Sequence, residues 1–377
     1  MDDISRQRQL VEAAGEFANR EIRPRAGEID KRGIFPRDLI DGLAEKGFLV
    51  PSVSEEYGGL GLDPVHYGHF LEEIGKACCS TRTLITVNNS LIGETIVRWG
   101  SEEQRRTWLP LIASGKKIGA FALSEPNIGT DARSVETEYK EKRDMYVIDG
   151  KKKWISFAGI ADFFLVIASG PEKATAFFVE REFHGVKTRP IEGMLAGRAS
   201  HIAEIEFDSV TVPPENVLGR VGAAFPYVVG TALDHGRYSV AWGGVALAQE
   251  ALEAMVSYSR KRVQFGKKIS DFQLIRGMIA DAVTKIHAAR ALCLKAGEMR
   301  RDKETDAIVE TTIAKYFASK VAMEVAMDAV QIHGANGCQE LYPVERLFRE
   351  AKLLEIIEGT SQIQQEIIGK YGLKKYS

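Results

Sequence analysis

The stretch that decides the fold runs from Tyr146 to Ala168 and reads YVIDGKKKWISFAGIADFFLVIA. An Asp149-Gly150 pair between two apolar runs predicts a hairpin turn, and the run that begins at Phe163 has the length of a strand. Apolar residues alternate with glutamates at 203–207, which is the period of a half-buried strand. We therefore predict a small β-barrel domain at residues 119–220.

The sequence on either side of this domain has the helical period instead. Residues 1–118 carry apolar residues three and four apart, and short segments with Gly and Pro separate the predicted helices. Residues 221–377 return to that period, with a row of alanines from Ala314 to Ala326 that favours close helix contact. We predict a mixed α and β fold: an N-terminal all-α domain (1–118), the middle β-barrel and a C-terminal four-helix bundle (221–377).

The amino-acid composition of the chain argues against several classes of function. The 377 residues carry 50 Lys and Arg against 52 Asp and Glu, a formal charge of −2, whereas nucleic-acid binding needs a clustered surplus of cations. No apolar run reaches the roughly 18 residues of a membrane helix, and Met1–Leu10 lacks the apolar segment of a signal peptide. Four scattered cysteines are typical of reduced thiols. We expect a cytoplasmic protein that binds neither nucleic acid nor membrane.

Familiar nucleotide and metal motifs are missing from the sequence. Gly59-x-Gly61 lacks the third glycine of a Rossmann fingerprint, and neither a Walker loop nor a nucleophile elbow occurs. His66 and His69 have the spacing of half a metal site, with two glutamates close behind. One spacing match is weak evidence, so we favour an amphipathic helix there and predict no metal.

Other stretches carry groups that suit a flat, phosphate-bearing ligand. Hydroxyls at Ser124 and Thr130 flank Gly129, and an aromatic ring at Trp154 lies next to the hydroxyl of Ser156. Three further segments stand out beside them: Arg262–Gly266 with Gln273, Gln331–Gly337, and Glu358–Gln362. The triplet Lys151–Lys153 is more typical of a solvated strand edge than of a docking patch.

Together these stretches resemble the acyl-CoA dehydrogenase family over essentially the whole chain. Six motifs occur in the family's order: S-E-P-x-x-G-[ST]-D at Ser124–Asp131, W-I-[ST] at Trp154–Ser156, V-P-x-E-N-x-L-G at Val212–Gly219, R-x-x-F-G at Arg262–Gly266, Y-P-V-E-R at Tyr342–Arg346, and E-G-T-S-x-I-Q at Glu358–Gln364. One such motif would be weak, but six in order are specific.

The resemblance implies FAD as the cofactor, bound between the β domain and the C-terminal bundle without a Rossmann fingerprint. Arg262 and Gln273 match residues that reach the FAD of a neighbouring subunit. The other positions that match flavin contacts are Phe121, Leu123, Ser124, Gly129, Thr130, Trp154, Ile155, Ser156, Gln331, Ile332, His333, Gly334, Ala335, Gly359, Thr360 and Gln362. Ala335 stands where the family usually has a second glycine, and we expect the approach to FAD to tolerate the added methyl group despite some crowding.

Glu358 matches the family's catalytic base. Desaturation of an acyl thioester removes a weakly acidic proton from Cα while hydride leaves Cβ for flavin N5. A carboxylate does this only if water is excluded and its pKa rises toward neutrality. The residues Leu354, Ile356 and Ile357 form an apolar approach, and Gly359 permits an unusual backbone turn. The alternative is a glutamate that merely ends a helix.

Neighbouring positions bear on the substrate. Some members of the family carry the base at the position of Gly236, which has no carboxyl here. Thr130, Asp234 and Arg237 match residues beside the acyl thioester, although the last two also suit an ion pair on a helix surface. Ile357 replaces a frequent tyrosine, which leaves the acyl group open. The resemblance suggests the Glu358 backbone N–H and a flavin ribityl hydroxyl as stabilisers of the thioester oxygen.

The favoured function is therefore an FAD-dependent acyl-CoA dehydrogenase. One alternative is an acyl carrier protein-linked dehydrogenase that oxidises a hydroxyacyl or aminoacyl unit for polyketide extender-unit biosynthesis. Two others are a flavin oxidase or monooxygenase of the same fold, and a non-enzymatic helical interaction protein. The expected partners are an electron-transferring flavoprotein and further copies of the chain in a homotetramer or dimer.

Overall fold

A computed structural model describes residues 3–377. Seven helices precede the β region: α1 (Asp3–Phe17), α2 (Ala26–Arg32), α3 (Arg37–Glu45), α4 (Pro64–Ala77), α5 (Cys79–Ile85), α6 (Glu94–Trp99) and α7 (Glu102–Ala113). Eight strands follow: β1 (Gly119–Ala122), β2 (Glu138–Lys142), β3 (Met145–Ile155), β4 (Phe163–Ala168), β5 (Thr175–Glu180), β6 (Val186–Pro190), β7 (Ala203–Val212) and β8 (Val217–Leu218).

The chain then returns to helices around one short hairpin. The elements are α8 (Gly230–Ser259), β9 (Val263–Gln264), β10 (Lys267–Lys268), α9 (Gln273–Arg301), α10 (Ala307–His333), α11 (Pro343–Leu354) and α12 (Ser361–Lys375). The predicted helical, β, helical order is confirmed. Among residues 3–377, no helix combines the length and apolar character needed to span a membrane.

The chain divides into two compact units. One comprises the chain up to Lys31, Asp63–Arg82 and Arg237–Ser377; the other comprises Arg32–Leu62 and Thr83–Gly236. Helices α1 and α4 and nearly all of α2 thus belong with the C-terminal helices, α3, α6 and α7 belong with the strands, and α5 is divided between the two units.

Two four-stranded sheets form the β region, in the orders β1-β4-β5-β8 and β2-β3-β7-β6. The strand predicted at 203–207 is β7, whose Ala203, Ile205 and Phe207 point inward as its alternation requires. These side chains join Phe164 and Phe177 of the other sheet in one buried cluster. The predicted strand at Phe163 is β4, buried along its whole length.

The hairpin predicted at Asp149-Gly150 is wrong. Strand β3 runs straight through this pair, and the turn lies at Arg143 and Asp144, between β2 and β3. The pairing of β3 with β7 shifts register between Ile148 and Gly150, which marks a bulge. Gly150 has φ +147, and a Cβ there would lie 2.6 Å from the Thr137 Cα, so the glycine serves a bulge rather than a turn.

The lysine triplet on β3 is not a solvated edge. Lys151 and Lys153 point outward to Glu206 (3.8 Å) and Glu204 (2.8 Å). Lys152 points inward, is fully buried, and donates from Nζ to the carbonyl oxygens of Leu123 (3.1 Å) and Ile167 (2.7 Å). Alternation along a strand separates adjacent side chains in this way, which a reading of the triplet as one patch overlooks.

Small residues let the helices approach closely, as the alanine row predicts. The residues of that row on α10 are buried. A Cβ on Gly244 of α8 would lie 2.7 Å from the Ala318 carbonyl oxygen, so only glycine fits where α8 crosses α10. On α4, a Cβ on Gly68 would lie 2.2 Å from Nε1 of the fully buried Trp242.

Candidate active site

The centre of the candidate site is a left-handed turn between α11 and α12. Glu358 has φ +54 and Gly359 has φ +95, values that glycine tolerates and that glutamate adopts only when its surroundings hold it. Helix α12 begins directly after the turn, with the Thr360 hydroxyl accepting from the Ile363 N–H at 3.4 Å. A Cβ on Gly359 would lie 2.8 Å from Nε2 of Gln364. Glycine is therefore needed at this position.

Three side chains from three helices hold the carbonyl oxygens of the turn. Arg237 of α8 donates from Nε to the Glu358 oxygen at 3.1 Å. Gln364 of α12 donates to the same oxygen at 3.1 Å and to the Gly359 oxygen at 3.0 Å. Lys315 of α10 donates from Nζ to the Gly359 oxygen at 2.7 Å. Such support stabilises a strained backbone that the local sequence alone would not adopt.

The Glu358 carboxylate is placed as a general base requires. The residue is half-buried, but its Oε2 is buried and accepts no hydrogen bond from any described residue. Burial raises the pKa of Glu358 to about 7, against the opposing effect of Arg237, Lys315 and Arg82. A carboxylate whose pKa lies near neutrality is ionised often enough to accept a proton and basic enough to keep it.

The predicted apolar approach to Glu358 is only partly present. Leu354 is buried and Ile357 is half-buried, but Ile356 is 52% exposed. Burial is nevertheless the main cause of the raised pKa of this carboxylate. The alternative, a glutamate that merely ends a helix, does not account for three side chains bonded to one turn.

Sequence reasoning missed three residues of this site: Lys315, Gln364 and Arg82. Lys315 and Arg82 are fully buried, and burial lowers the pKa of Lys315 to about 8. The available signal was the position of Lys315 beside the row of small residues at Ala314 and Ala318, because a cation on a helix face predicted to be buried needs a buried partner.

Asp234 and Arg237 do not lie on an exposed helix surface, which the alternative of a surface ion pair requires. Asp234 is buried, and Arg237 is half-buried with its Nε on the Glu358 carbonyl. Gly236 is buried on the same helix. The roles of Asp234 and Arg237 beside a thioester stay predictions.

The two predicted flavin segments of the β region lie side by side. The Lys153 N–H donates to the Ser124 carbonyl oxygen at 2.9 Å, which joins the loop after β1 to the end of β3. Within residues 3–377, the hydroxyls of Ser124, Thr130 and Ser156 have no hydrogen-bond partner, so all three are free to bind a ligand. Trp154 is 51% exposed and has φ +64, a conformation that a large side chain rarely adopts without a reason. A planar ligand rich in acceptors fits this set.

The remaining predicted cofactor positions differ in exposure. Phe121, Leu123, Ile155, Ile332 and His333 are buried, while Gly129, Thr130, Arg262, Gln273, Gln331, Gly334, Ala335 and Gln362 are exposed and Thr360 is half-buried. Ala335 therefore has room around its methyl group. The β9–β10 hairpin that carries Arg262 is exposed throughout, with Phe265 94% exposed. The predicted contact of Arg262 and Gln273 with a neighbouring subunit stays a prediction.

The histidine spacing on α4 has a simple explanation. His66 Nδ1 lies 2.8 Å from Asp63, which caps the helix, and Glu72 binds Arg290 instead of a metal. Within the described part of the chain, no three His, Cys, Asp or Glu side chains gather in a way that would hold a metal ion.

Three family models match this chain, and all three describe domains of one family. Family models match the acyl-CoA dehydrogenase N-terminal domain at residues 5–116, the middle domain at 120–210 and the C-terminal domain at 225–373. The short-chain specific acyl-CoA dehydrogenase of Clostridium acetobutylicum is 37% identical over 372 residues, which cover 97% of this chain and 98% of that protein.

Solved structures agree with the sequence comparison. A chain from the work on the electron transferring flavoprotein of Acidaminococcus fermentans is 38% identical with a TM-score of 0.95, covering 100% of this chain and 99% of that one. Butyryl-CoA dehydrogenase from Megasphaera elsdenii is 35% identical with a TM-score of 0.94, covering 99% of both chains.

One further similar structure is that of a protein named for polyketide extender-unit biosynthesis. FkbI, described as acting in biosynthesis of the methoxymalonyl extender unit of a polyketide, is 32% identical with a TM-score of 0.87 and covers 98% of this chain and 99% of its own. All three domain matches and the full-length relatives lead to one conclusion. The chain belongs to the acyl-CoA dehydrogenase family.

Proposed function

We propose that this chain oxidises a short acyl-CoA at its Cα–Cβ bond, with Glu358 as the base that removes the Cα proton. The family makes the chain an FAD-dependent oxidoreductase acting on a CH–CH group. The observation that carries the role of Glu358 is its buried, unpartnered Oε2 on a left-handed turn held by Arg237, Gln364 and Lys315. The relatives named for short-chain and butyryl substrates support the acyl length.

The chain's own residues supply two functions in this reaction. Glu358 holds its carboxylate away from water and accepts the proton, which requires the ionised form. Its backbone N–H donates to no described acceptor, so it is free to bind the thioester oxygen as negative charge develops there.

FAD supplies the acceptor for the hydride that leaves Cβ. The hydroxyls of Ser124, Thr130 and Ser156 and the ring of Trp154 are the groups we assign to holding it, because they are unpartnered or exposed on adjoining segments. The buried Phe121, Leu123 and Ile155 support those segments from beneath.

Coenzyme A is favoured over an acyl carrier protein as the acyl donor, because the relatives named for short-chain acyl-CoA and butyryl-CoA are similar over nearly the whole chain. Carrier proteins are acidic, so docking one needs a cluster of unpaired cations. The Lys151–Lys153 triplet does not provide it, because Lys152 is buried and the outer two lysines are paired with glutamates. The likeness to FkbI keeps a carrier-bound hydroxyacyl or aminoacyl unit as the second candidate.

We assign the electron acceptor from the similarity to a known structure. The likeness to a chain studied with an electron transferring flavoprotein supports such a protein as the partner that reoxidises the enzyme. The exposed β9–β10 hairpin with Phe265 supports self-association in a dimer or tetramer.

Anaerobic titration with butyryl-CoA tests this function. We expect the flavin absorbance of the purified protein to bleach, and Glu358→Gln to abolish bleaching while FAD stays bound. The same acyl group on an acyl carrier protein should react far more slowly. Bleaching by the carrier-linked ester alone would favour the second candidate. Bleaching that survives in Glu358→Gln would remove Glu358 from its role, and rapid reoxidation by air with peroxide release would indicate an oxidase.

A further inference from the structure

Lys315 lies at the active site although no sequence motif includes it. It comes from the middle of α10, where its neighbours Ala314 and Ala318 are buried against other helices. The side chain is fully buried, and its Nζ donates to the Gly359 carbonyl oxygen at 2.7 Å. A buried ammonium is costly, so its presence on the buried face of this helix calls for a function.

The contact falls on the one backbone segment whose conformation determines where the base points. Glu358 and Gly359 both have positive φ, so their carbonyl groups face side chains and not the backbone donors of a helix. Gln364 also reaches the Gly359 oxygen, at 3.0 Å, but it carries no charge. Lys315 thus gives the Gly359 oxygen a charge-assisted hydrogen bond, which the neutral Gln364 amide cannot provide.

The charges around the Glu358 carboxylate come from three elements. Arg237 approaches from α8, Arg82 from α5 and Lys315 from α10, and each favours the ionised carboxylate. Glu355, on the segment that precedes the turn, acts on Lys315 and favours its charged form. Arg237 is already bonded to the Glu358 carbonyl. Lys315, like Arg237, thus combines a bond to the turn with a charge close to the carboxylate.

We propose that Lys315 is a positioning residue for the base: from α10 it fixes the Glu358–Gly359 turn and keeps the Glu358 carboxylate ionised near neutral pH. This inference rests on the proposed function of Glu358 and adds the residue that acts through it. It requires no contact between Lys315 and the substrate.

The test is the pH dependence of flavin reduction by butyryl-CoA in a single anaerobic turnover. For Lys315→Met we expect the apparent pKa of the acid limb to rise by about one unit, since one of three neighbouring cations is lost. The rate at pH 7 should then fall about fivefold, because the ionised fraction of a carboxyl with a pKa of about 7 drops from about one half to about one tenth, and it should recover in large part at higher pH. Lys315→Arg keeps the charge and should restore the wild-type profile.

Matched variants distinguish the loss of the Lys315 contact from a general loss of structure. Lys320→Met changes an exposed lysine on the same helix and should leave the profile unchanged. If Lys315→Met does not fold, Lys315→Gln keeps a donor, removes the charge and should show the same upward shift. An unchanged profile, or a loss of rate that is equal at every pH, overturns the inference. Failure of the wild type to bleach, or full activity of Glu358→Gln, would instead overturn the proposed function.

Discussion

Nζ of Lys152 lies 2.7 Å from Oε1 of Glu125, and both side chains are fully buried in the β region. The Glu125 carboxylate also accepts from the Thr137 N–H at 2.9 Å. This ion pair therefore ties β3 to both ends of the loop that carries Ser124 and Thr130. The free hydroxyls assigned to FAD depend on it for their position.

Loss of the cation in this pair should be strongly destabilising. Lys152→Met leaves the Glu125 charge buried without its partner, which costs about 3–5 kcal/mol in the free energy of unfolding. Urea unfolding of the apoprotein measures it. Lys151→Met removes the exposed neighbour and should change the free energy by less than about 0.5 kcal/mol. Equal losses in the two variants would contradict the assignment. The double change Lys152→Met with Glu125→Leu should recover much of the stability.

A methyl group at Gly359 should damage the active site selectively. Gly359→Ala places Cβ 2.8 Å from Nε2 of Gln364 at a φ of +95, so the turn must shift. We expect a stability loss of about 1–3 kcal/mol and flavin reduction at least tenfold slower. The control is Gly369→Ala on α12, where a Cβ meets no atom within 4 Å. That variant should gain up to about 1 kcal/mol and retain activity, and thermal unfolding with stopped-flow reduction distinguishes the two.

The raised pKa of Glu358 should appear in the stability as well as in the rate. A carboxyl whose folded pKa is raised stabilises the fold below its unfolded pKa, and that contribution is lost as pH rises through the folded value of about 7. Glu358→Gln removes the effect, so the variant should match the wild-type apoprotein near pH 4.5 and exceed it by up to about 3 kcal/mol at pH 8. Glu366→Gln, an exposed change on α12, should give no such gain. A constant difference across this range would show that Glu358 titrates normally.

The contact of α4 with α8 should tolerate no side chain at Gly68. Gly68→Ala forces Cβ to within 2.2 Å of Nε1 of Trp242, a fully buried ring that has little room to move. Overpacking of this kind costs about 1–3 kcal/mol, measurable as a lower thermal midpoint. Gly277→Ala on α9, where a Cβ meets no atom within 4 Å, should be neutral or stabilising. A stable Gly68→Ala variant would mean that α4 and α8 separate more easily than their packing indicates.

The sequence predicts the order of helices and strands because periodicity reports burial directly. The alternation at β7 and the alanine row of α10 are patterns of that kind, and both are confirmed. The hairpin at Asp149-Gly150 failed because a glycine that serves a bulge has the same local composition as one that serves a turn. The difference lies in Thr137, a residue of a neighbouring segment whose contact with Gly150 the local sequence does not show.

Some residues of the candidate site could likewise be predicted from the sequence, whereas others could not. Glu358 and Gly359 were found by their motif, because their chemistry and backbone requirement lie next to each other in the sequence. Lys315 lies 43 positions earlier than Glu358 and joins it only when α10 and the turn pack together. The direction of a side chain that reaches across the fold depends on tertiary packing, which a motif does not encode.

The alternation of three lysines along β3 also limits how the length of this strand can change. Removal or addition of one residue before Lys151 would turn two ammonium groups into the apolar interior and bring the inner one out to water, reversing both outer pairings with glutamates. Any pairing of β3 with β7 that is shifted by one residue would bury two lysine charges without partners. This cost disfavours shifted pairings, so the triplet helps to set the alignment of the two strands. We therefore expect single-residue insertions and deletions to be tolerated in the loops of this region and not within β3.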